Sequence, residues 1–410
     1  MLCLGRACAA LLVMVAIPTA PATFAGVPEL ELGAESFSNW TTATTLNQDD
    51  VLGLGEYEGL LRALLNAKHS VGAARGVFRG YVEHSLAAAE PRTRWRARQA
   101  YLQYGWGSGL SLRLGKQRIA WGSGFAWNPT NRVEPPKNPL NTSLEQEGAL
   151  AVRMDWVPAS RVGVILLAAR SEAAASDLPF DAPAERRRAA AVRARFLVKD
   201  TDLALVLSGG KGHPSLVGLD VGRDILGRVS AHAEAALYRG AELAPAREDE
   251  LFLRLASGLL WTSGESALSA EYFFNGEGYT DRQLAAYLAS LDAAYGRASD
   301  PTLPPAAREQ ALLAYLGAAT RPYGAGLGLR RHYLQAAWTR SPAGGRWSVA
   351  ARGVLGLSDG GVALTPGVGF APRGNVTLGV DAILILGPTD SEYRLAPVKG
   401  ALQARLKVLF

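Results

Sequence analysis

Ser230, His232 and Glu234 occupy alternate positions of one extended stretch, which places a hydroxyl, an imidazole and a carboxylate on the same side of a strand. In a hydrolase those three types act as nucleophile, base and orienting acid. Spacing argues against that use. Side chains two apart on a strand stand about 7 Å from one another, and spacing alone supplies no hydrogen bond between them. The other histidines, His69, His84, His213 and His332, are scattered, with no pair at metal-ligating separation. Gly105-Trp106-Gly107-Ser108-Gly109 and Trp121-Gly122-Ser123-Gly124 are turn chemistry, since no helix-opening lysine follows them as a phosphate loop requires. No catalytic residue, cofactor or metal ligand is expected, and the polar side of this stretch reads as the lining of a wet wall.

The arginines are more informative. Arg62, Arg75, Arg79, Arg113, Arg153, Arg193 and Arg195 alternate with apolar neighbours, as do the acidic residues Glu83 and Asp155 and, later in the chain, Glu234, Glu271 and Asp381. Charged side chains facing a water-filled channel set its ion preference, and a narrow low-dielectric bore focuses their field. The alternative is that arginines pair with carboxylates on facing strands and brace the wall. Residues 121–146 combine glycines, prolines and apolar rings in a long loop. Trp121, Phe125, Trp127, Arg132, Glu134 and Lys137 are the candidates for an internal constriction, or for a loop folded over the rim.

Strands must position these groups. Period-two alternation predicts eighteen, at 29–39, 57–68, 73–85, 94–106, 109–120, 147–157, 161–170, 186–198, 201–209, 214–222, 227–239, 249–261, 265–275, 327–340, 346–357, 361–371, 374–386 and 400–410, with sixteen as the other count. In the last of them Leu402, Ala404, Leu406, Val408 and Phe410 oppose Gln403, Arg405 and Lys407. In 374–386, Val376, Leu378, Val380, Ala382 and Leu384 oppose Asn375, Thr377, Gly379 and Asp381. The polar sides are too charged for a dry core. On lipid at the bilayer midplane each Arg or Lys would cost roughly 2–4 kcal/mol. An antiparallel transmembrane barrel solves this, with apolar residues outside, charges around a wet bore, and every backbone group paired.

Short turns alternate with long connections, as in barrels with short periplasmic turns and long external loops. An even count leaves both chain ends on the short-turn side. Trp40, Trp95, Tyr104, Trp106, Trp121, Trp156, Trp261, Trp338 and Trp347 fall near strand ends and suit interfacial girdles. The longest connection, 276–326, holds two segments of helical spacing split by Asp300-Pro301-Thr302-Leu303-Pro304-Pro305.

Residues 1–25 carry one charge, Arg6, then an apolar run and small residues, which reads as a cleaved secretory signal peptide; residues 26–410 form the barrel. Both cysteines, Cys3 and Cys8, lie in that leader, so the mature chain has no thiol for a disulfide, metal or redox site. A formal net charge of +6 over 410 residues is modest and points to no nucleic-acid partner.

The run from Leu112 to Gly124, followed by Asn128-Pro129-Thr130-Asn131, resembles the strand-to-loop element of large Gram-negative outer-membrane porins, including alginate-export-like barrels, with Lys116 where an arginine is usual. The terminal Phe410, with apolar residues at alternate positions before it, resembles the signal read by the barrel-assembly machinery. The resemblance implies an outer-membrane channel, set among membrane lipid and lipopolysaccharide, for passive diffusion of small hydrophilic solutes; the arginines add an anionic preference. Two other readings stay open. One is a surface scaffold or adhesin with a plugged lumen; the other is an outer-membrane hydrolase.

Overall fold

A computed structural model describes residues 28–86, 91–140, 146–172, 186–243, 247, 249–325 and 328–410. The expected leader, residues 1–25, lies outside them. Eighteen antiparallel strands form one sheet. They are β1 (Glu29–Thr41), β2 (Tyr57–Val71), β3 (Ala74–Ser85), β4 (Arg92–Trp106), β5 (Leu110–Gln117), β6 (Ala149–Ala159), β7 (Val162–Glu172), β8 (Arg186–Val198) and β9 (Thr201–Gly210). There follow β10 (His213–Asp224), β11 (Val229–Arg239), β12 (Leu251–Ser263), β13 (Ser266–Asn275), β14 (His332–Arg340), β15 (Trp347–Gly356), β16 (Val362–Arg373), β17 (Val376–Leu386) and β18 (Val398–Leu409). Each strand pairs with the next, and β1 pairs with β18 from Glu31 opposite Leu409 to Thr41 opposite Val398. The sheet is therefore a closed barrel of eighteen strands, and sixteen is ruled out.

The seam is tied at both levels of structure. Phe410 donates its N–H to the carbonyl of Leu30 at 2.8 Å. On the inner wall Lys407 Nζ meets Glu31 at 2.8 Å, Arg62 meets Glu35 at 3.6 Å, and Arg405 pairs with Asp381.

Alternation sorts the faces as the sequence implies. Leu102, Leu114, Val152, Leu205, Leu207, Val217, Leu237, Val380 and Leu402 all stand exposed on the outside. At the long-loop rim Trp40 and Trp95 are exposed; at the short-turn rim Trp106, Trp156, Trp261, Trp338 and Trp347 are. Trp121 departs from that set. It is buried, with its Nε1 donating to the Thr130 carbonyl at 3.2 Å inside the loop it begins, so it belongs to no girdle. Among the described residues no helix is long and apolar enough to cross a membrane, which leaves the strands to do so.

Two helices, α1 (Asp281–Ser299) and α2 (Pro305–Ala325), fill the long connection. Thr280 and Gln283 cap α1 reciprocally: the Gln283 N–H donates to the Thr280 hydroxyl, and the Thr280 N–H donates to Gln283 Oε1. Leu291, Ala294, Tyr315 and Ala319 pack the pair together around Leu46 of the β1–β2 connection. On its other side α1 shares Leu284 with a core that runs through Tyr279, Leu329, Tyr333 and Phe273 to Trp127. The helices thus sit on the long-loop mouth and pack continuously into the bore.

Candidate functional site

The candidate functional element is the β5–β6 connection, whose described residues 118–140 and 146–148 fold into the bore. β5 stops at Gln117 instead of running to 120, and Gly115, at φ +123°, approaches β4 so closely that a Cβ would lie 2.3 Å from the Ala100 carbonyl. Ile119, Trp121 and Val133 then pack on the small inward residues Ala149, Ala151, Ala169, Ala189 and Ala191 of β6 to β8. From there the chain crosses to β10–β13, on the far wall.

Strand carboxylates hold it there. Glu234 of β11 accepts the N–H of Gly124 at 2.6 Å, and the N–H and hydroxyl of Thr130 at 3.3 and 2.8 Å. Glu271 of β13 accepts the successive N–H groups of Phe125, Ala126 and Trp127, the last two at 3.1 and 2.9 Å. Asp220 of β10 accepts from the Ser123 hydroxyl, and the Tyr238 hydroxyl donates to the Pro129 carbonyl. These bonds satisfy loop donors that have no secondary-structure partner, which buried backbone requires. Trp127 stacks on Phe273 with centroids 4.9 Å apart, and Phe125 sets its ring edge-on to His232 at 4.4 Å.

Glu234 and Glu271 were expected on the wetted wall. They do point inward, but their exposure is 1% and 0% because the loop covers them. Asp381 is buried too, bonded to Arg405. The expectation that Arg132, Glu134 and Lys137 meet solute is likewise corrected, for each is taken up by bonds within the loop or to the β11–β12 connection. Arg132 pairs with Glu242; Glu134 accepts from Arg118 at 2.9 Å and from the Ile119 N–H; Lys137 donates to the Gly124 carbonyl and to Asn128 at 2.9 Å. Burial pushes the Glu134 carboxyl up and the Lys137 ammonium down. At the rim, burial would raise Glu242, but the guanidiniums of Arg132, Arg254 and Arg187 hold it well below the usual carboxylate range.

The hydrolase constellation does not form. His232 Nε2 is bonded to Glu271 at 2.9 Å, whereas the Ser230 hydroxyl donates to Asp224.

Charge on the arc away from the loop stays accessible. Inward residues of β10–β13 such as Glu234, Glu271 and Arg254 are at most 1% exposed, whereas the side chains of Arg62, Arg405 and Lys407 are 22%, 37% and 47% exposed. Charge that the loop leaves uncovered thus lines the inner wall at β18 and β2. Next to it Arg75, Gln103, Arg113 and Arg153 stand in one cross-strand row over β3 to β6. Arg113 Nη2 donates to Gln103 at 3.1 Å and its guanidinium lies 4.9 Å from the Tyr101 ring centroid. Arg75 is exposed near the turn; Arg79 is half-buried. The bracing alternative describes four others: Arg62 bonds Glu83, Arg153 bonds its own strand's Asp155, Arg193 reaches Asp220 at 3.3 Å, and Arg195 meets Asp202 at 2.6 Å. Arg96, 3.2 Å from Glu147, and Arg98, 4.6 Å from the Tyr81 ring centroid, add cations that the alternation pattern did not single out. Arg98 sits at a β-bulge, beside the register shift between Arg79 and Gly80, and a bulge breaks the period-two signal.

The barrel as a whole has counterparts among solved structures. Pseudomonas aeruginosa OccK5 (OpdH) superposes with a TM-score of 0.57 at 9% identity, covering 93% of this chain and 97% of that one. Acinetobacter baumannii OccAB1 gives 0.54 at 9%, over 93% and 96%. The outer membrane protein OprD from Pseudomonas aeruginosa gives 0.52 at 9%, over 93% and 92%. The fold is that of the OprD-type porins. No family model matches the sequence, and no curated protein matches it either. The resemblance to porin-type barrels thus holds at the level of fold; its narrower form, to alginate-export barrels, is not what these porin structures display. Among the described residues no cluster could hold a metal ion.

Proposed function

We propose that the chain is an outer-membrane channel for passive diffusion of small hydrophilic solutes, and that it prefers anions. The observation that carries the preference is the row Arg75, Gln103, Arg113 and Arg153, three guanidiniums in register on the inner wall. Within the row Arg113 bonds to neutral Gln103, and Arg153 is matched by Asp155. A solute squeezed between this wall and the latched loop sheds part of its hydration, and guanidinium donors replace that hydration best when the solute is a carboxylate or phosphate. The apolar outer face holds the barrel in lipid, and Phe410 at the seam is the residue we assign to recognition by the barrel-assembly machinery.

Liposome swelling tests this reading. Vesicles carrying the barrel are expected to admit a small monocarboxylate faster than a neutral solute of equal size, and the neutral solute faster than a cation. Equal rates for all three would remove the anion preference; no swelling with any solute would remove the channel. The helices packed over the mouth favour a second reading, a surface scaffold with a plugged lumen, which the last outcome would support.

A further inference from the structure

The outer face of β7 and β8 carries a cluster of cations at its long-loop end. Arg170 and Arg188 stand directly opposite each other in register, and the Arg188 N–H donates to the Lys211 carbonyl at 3.0 Å, which brings the β9–β10 turn alongside. All three side chains are exposed. They point outward, because Leu167, Ala169 and Ala189 between them are buried on the inner wall while Leu166 and Val192, on the arginines' own face, are exposed. Like charges directly opposite on an antiparallel pair destabilise it. Among the described residues, Arg170, Arg188 and Lys211 make no ion pair.

Height says which anion could answer them. On β8 the run from Val198 back to Arg188 covers about 33 Å along the strand and, at a tilt of about 40°, about 25 Å of height, which is the thickness of a barrel's apolar band. The three cations therefore lie at the boundary on the long-loop side, level with the headgroups of the outer leaflet. Directly below them the face is shallow. Ala168, Ala190 and Gly209 floor a groove edged by Leu150 and Val152.

We propose that Arg170, Arg188 and Lys211 bind the phosphates of a phosphorylated glycolipid of the outer leaflet, with its acyl chains lying in the groove over Ala168 and Ala190. Guanidinium and ammonium groups side by side suit a phosphate monoester, and the groove suits saturated chains. The proposal rests on the barrel crossing an outer membrane but not on its conducting, so conductance serves as the independent control.

The test is native mass spectrometry of the full barrel in detergent, titrated with bisphosphorylated lipid A. Folding of every variant is checked by heat-modifiable gel mobility. The combined variant Arg170→Gln, Arg188→Gln, Lys211→Gln is expected to bind about 100-fold more weakly, from three interfacial cations, with unchanged conductance. The charge-preserving pair Arg170→Lys, Arg188→Lys should retain most of the binding. Undiminished binding by the triple variant, or equal binding of lipid A stripped of its phosphates, would overturn the site. Displacement of the lipid by millimolar inorganic phosphate would overturn the lipid as its occupant.

Discussion

Glu271 and Trp127 are 144 positions apart in the chain, yet the Trp127 N–H donates to the Glu271 carboxylate at 2.9 Å. That carboxylate also takes the N–H groups of Phe125 and Ala126, so one side chain immobilises three successive residues of the inward-folded loop. Glu271→Ala would leave these donors buried without an acceptor, at a cost on the order of 3 kcal/mol. The expected result is a lower unfolding midpoint in urea together with a noisier, larger single-channel current. Glu271→Gln, which keeps one carbonyl oxygen, should fall between the two. An unchanged current from the alanine variant would mean that the loop does not narrow the passage.

A single methyl group at Gly124 should have a comparable effect. Its Cβ would sit 1.9 Å from the Trp127 carbonyl, and no side chain can yield there because the obstacle is backbone. Gly124→Ala is expected to displace the turn, break the bond to Glu234 and raise conductance. Gly107→Ala, in a short turn with nothing within 4 Å, should leave it unaltered. Deleting residues 125–138 gives the upper limit of the same rise.

The loop bearing Glu392 should respond to pH. In the β17–β18 connection Glu392 accepts the N–H groups of Leu329 and Arg330 at 2.9 and 3.2 Å and the hydroxyl of Tyr333, and its own N–H donates to Asp359. These bonds tie down the segment that returns from α2 to β14. Burial, with Asp359 nearby, pushes the carboxyl up to about 7. Because the folded value lies above the ordinary carboxylate value, the contribution to stability is fully present below about pH 4.5 and is lost as pH rises through 7. Hydrogen exchange at residues 328–331 is expected to accelerate between pH 5 and 7.5, beyond the intrinsic pH effect, and Glu392→Gln should flatten that excess. A wild-type profile matching the variant's would contradict the assignment.

Strand order and facing were legible in the sequence because both rest on a local period of two. β8 spans the expected residues 186–198, and Leu402 and Arg405 face lipid and bore as their alternation requires. β14 was expected from 327 but begins at His332, since the preceding residues are held by Glu392 and Tyr333. What local pattern could not separate was a wetted carboxylate from a covered one. A usable signal does exist in register. Glu83 lies between Arg62 and Arg94, whereas Glu234 lies between Asp220 and Ala256, and Glu271 between Gly258 and Gln335. An inward carboxylate with no cation on either neighbouring strand needs donors from elsewhere, and here a loop supplies them.

The most direct measurement of ion preference is the zero-current potential of the reconstituted barrel in a planar bilayer under a potassium chloride gradient. Anion preference predicts a potential of the sign set by chloride, shifted toward zero when Arg75, Arg79 and Arg113 are changed together to glutamine. A cation-selective potential that is unmoved by those substitutions would contradict it.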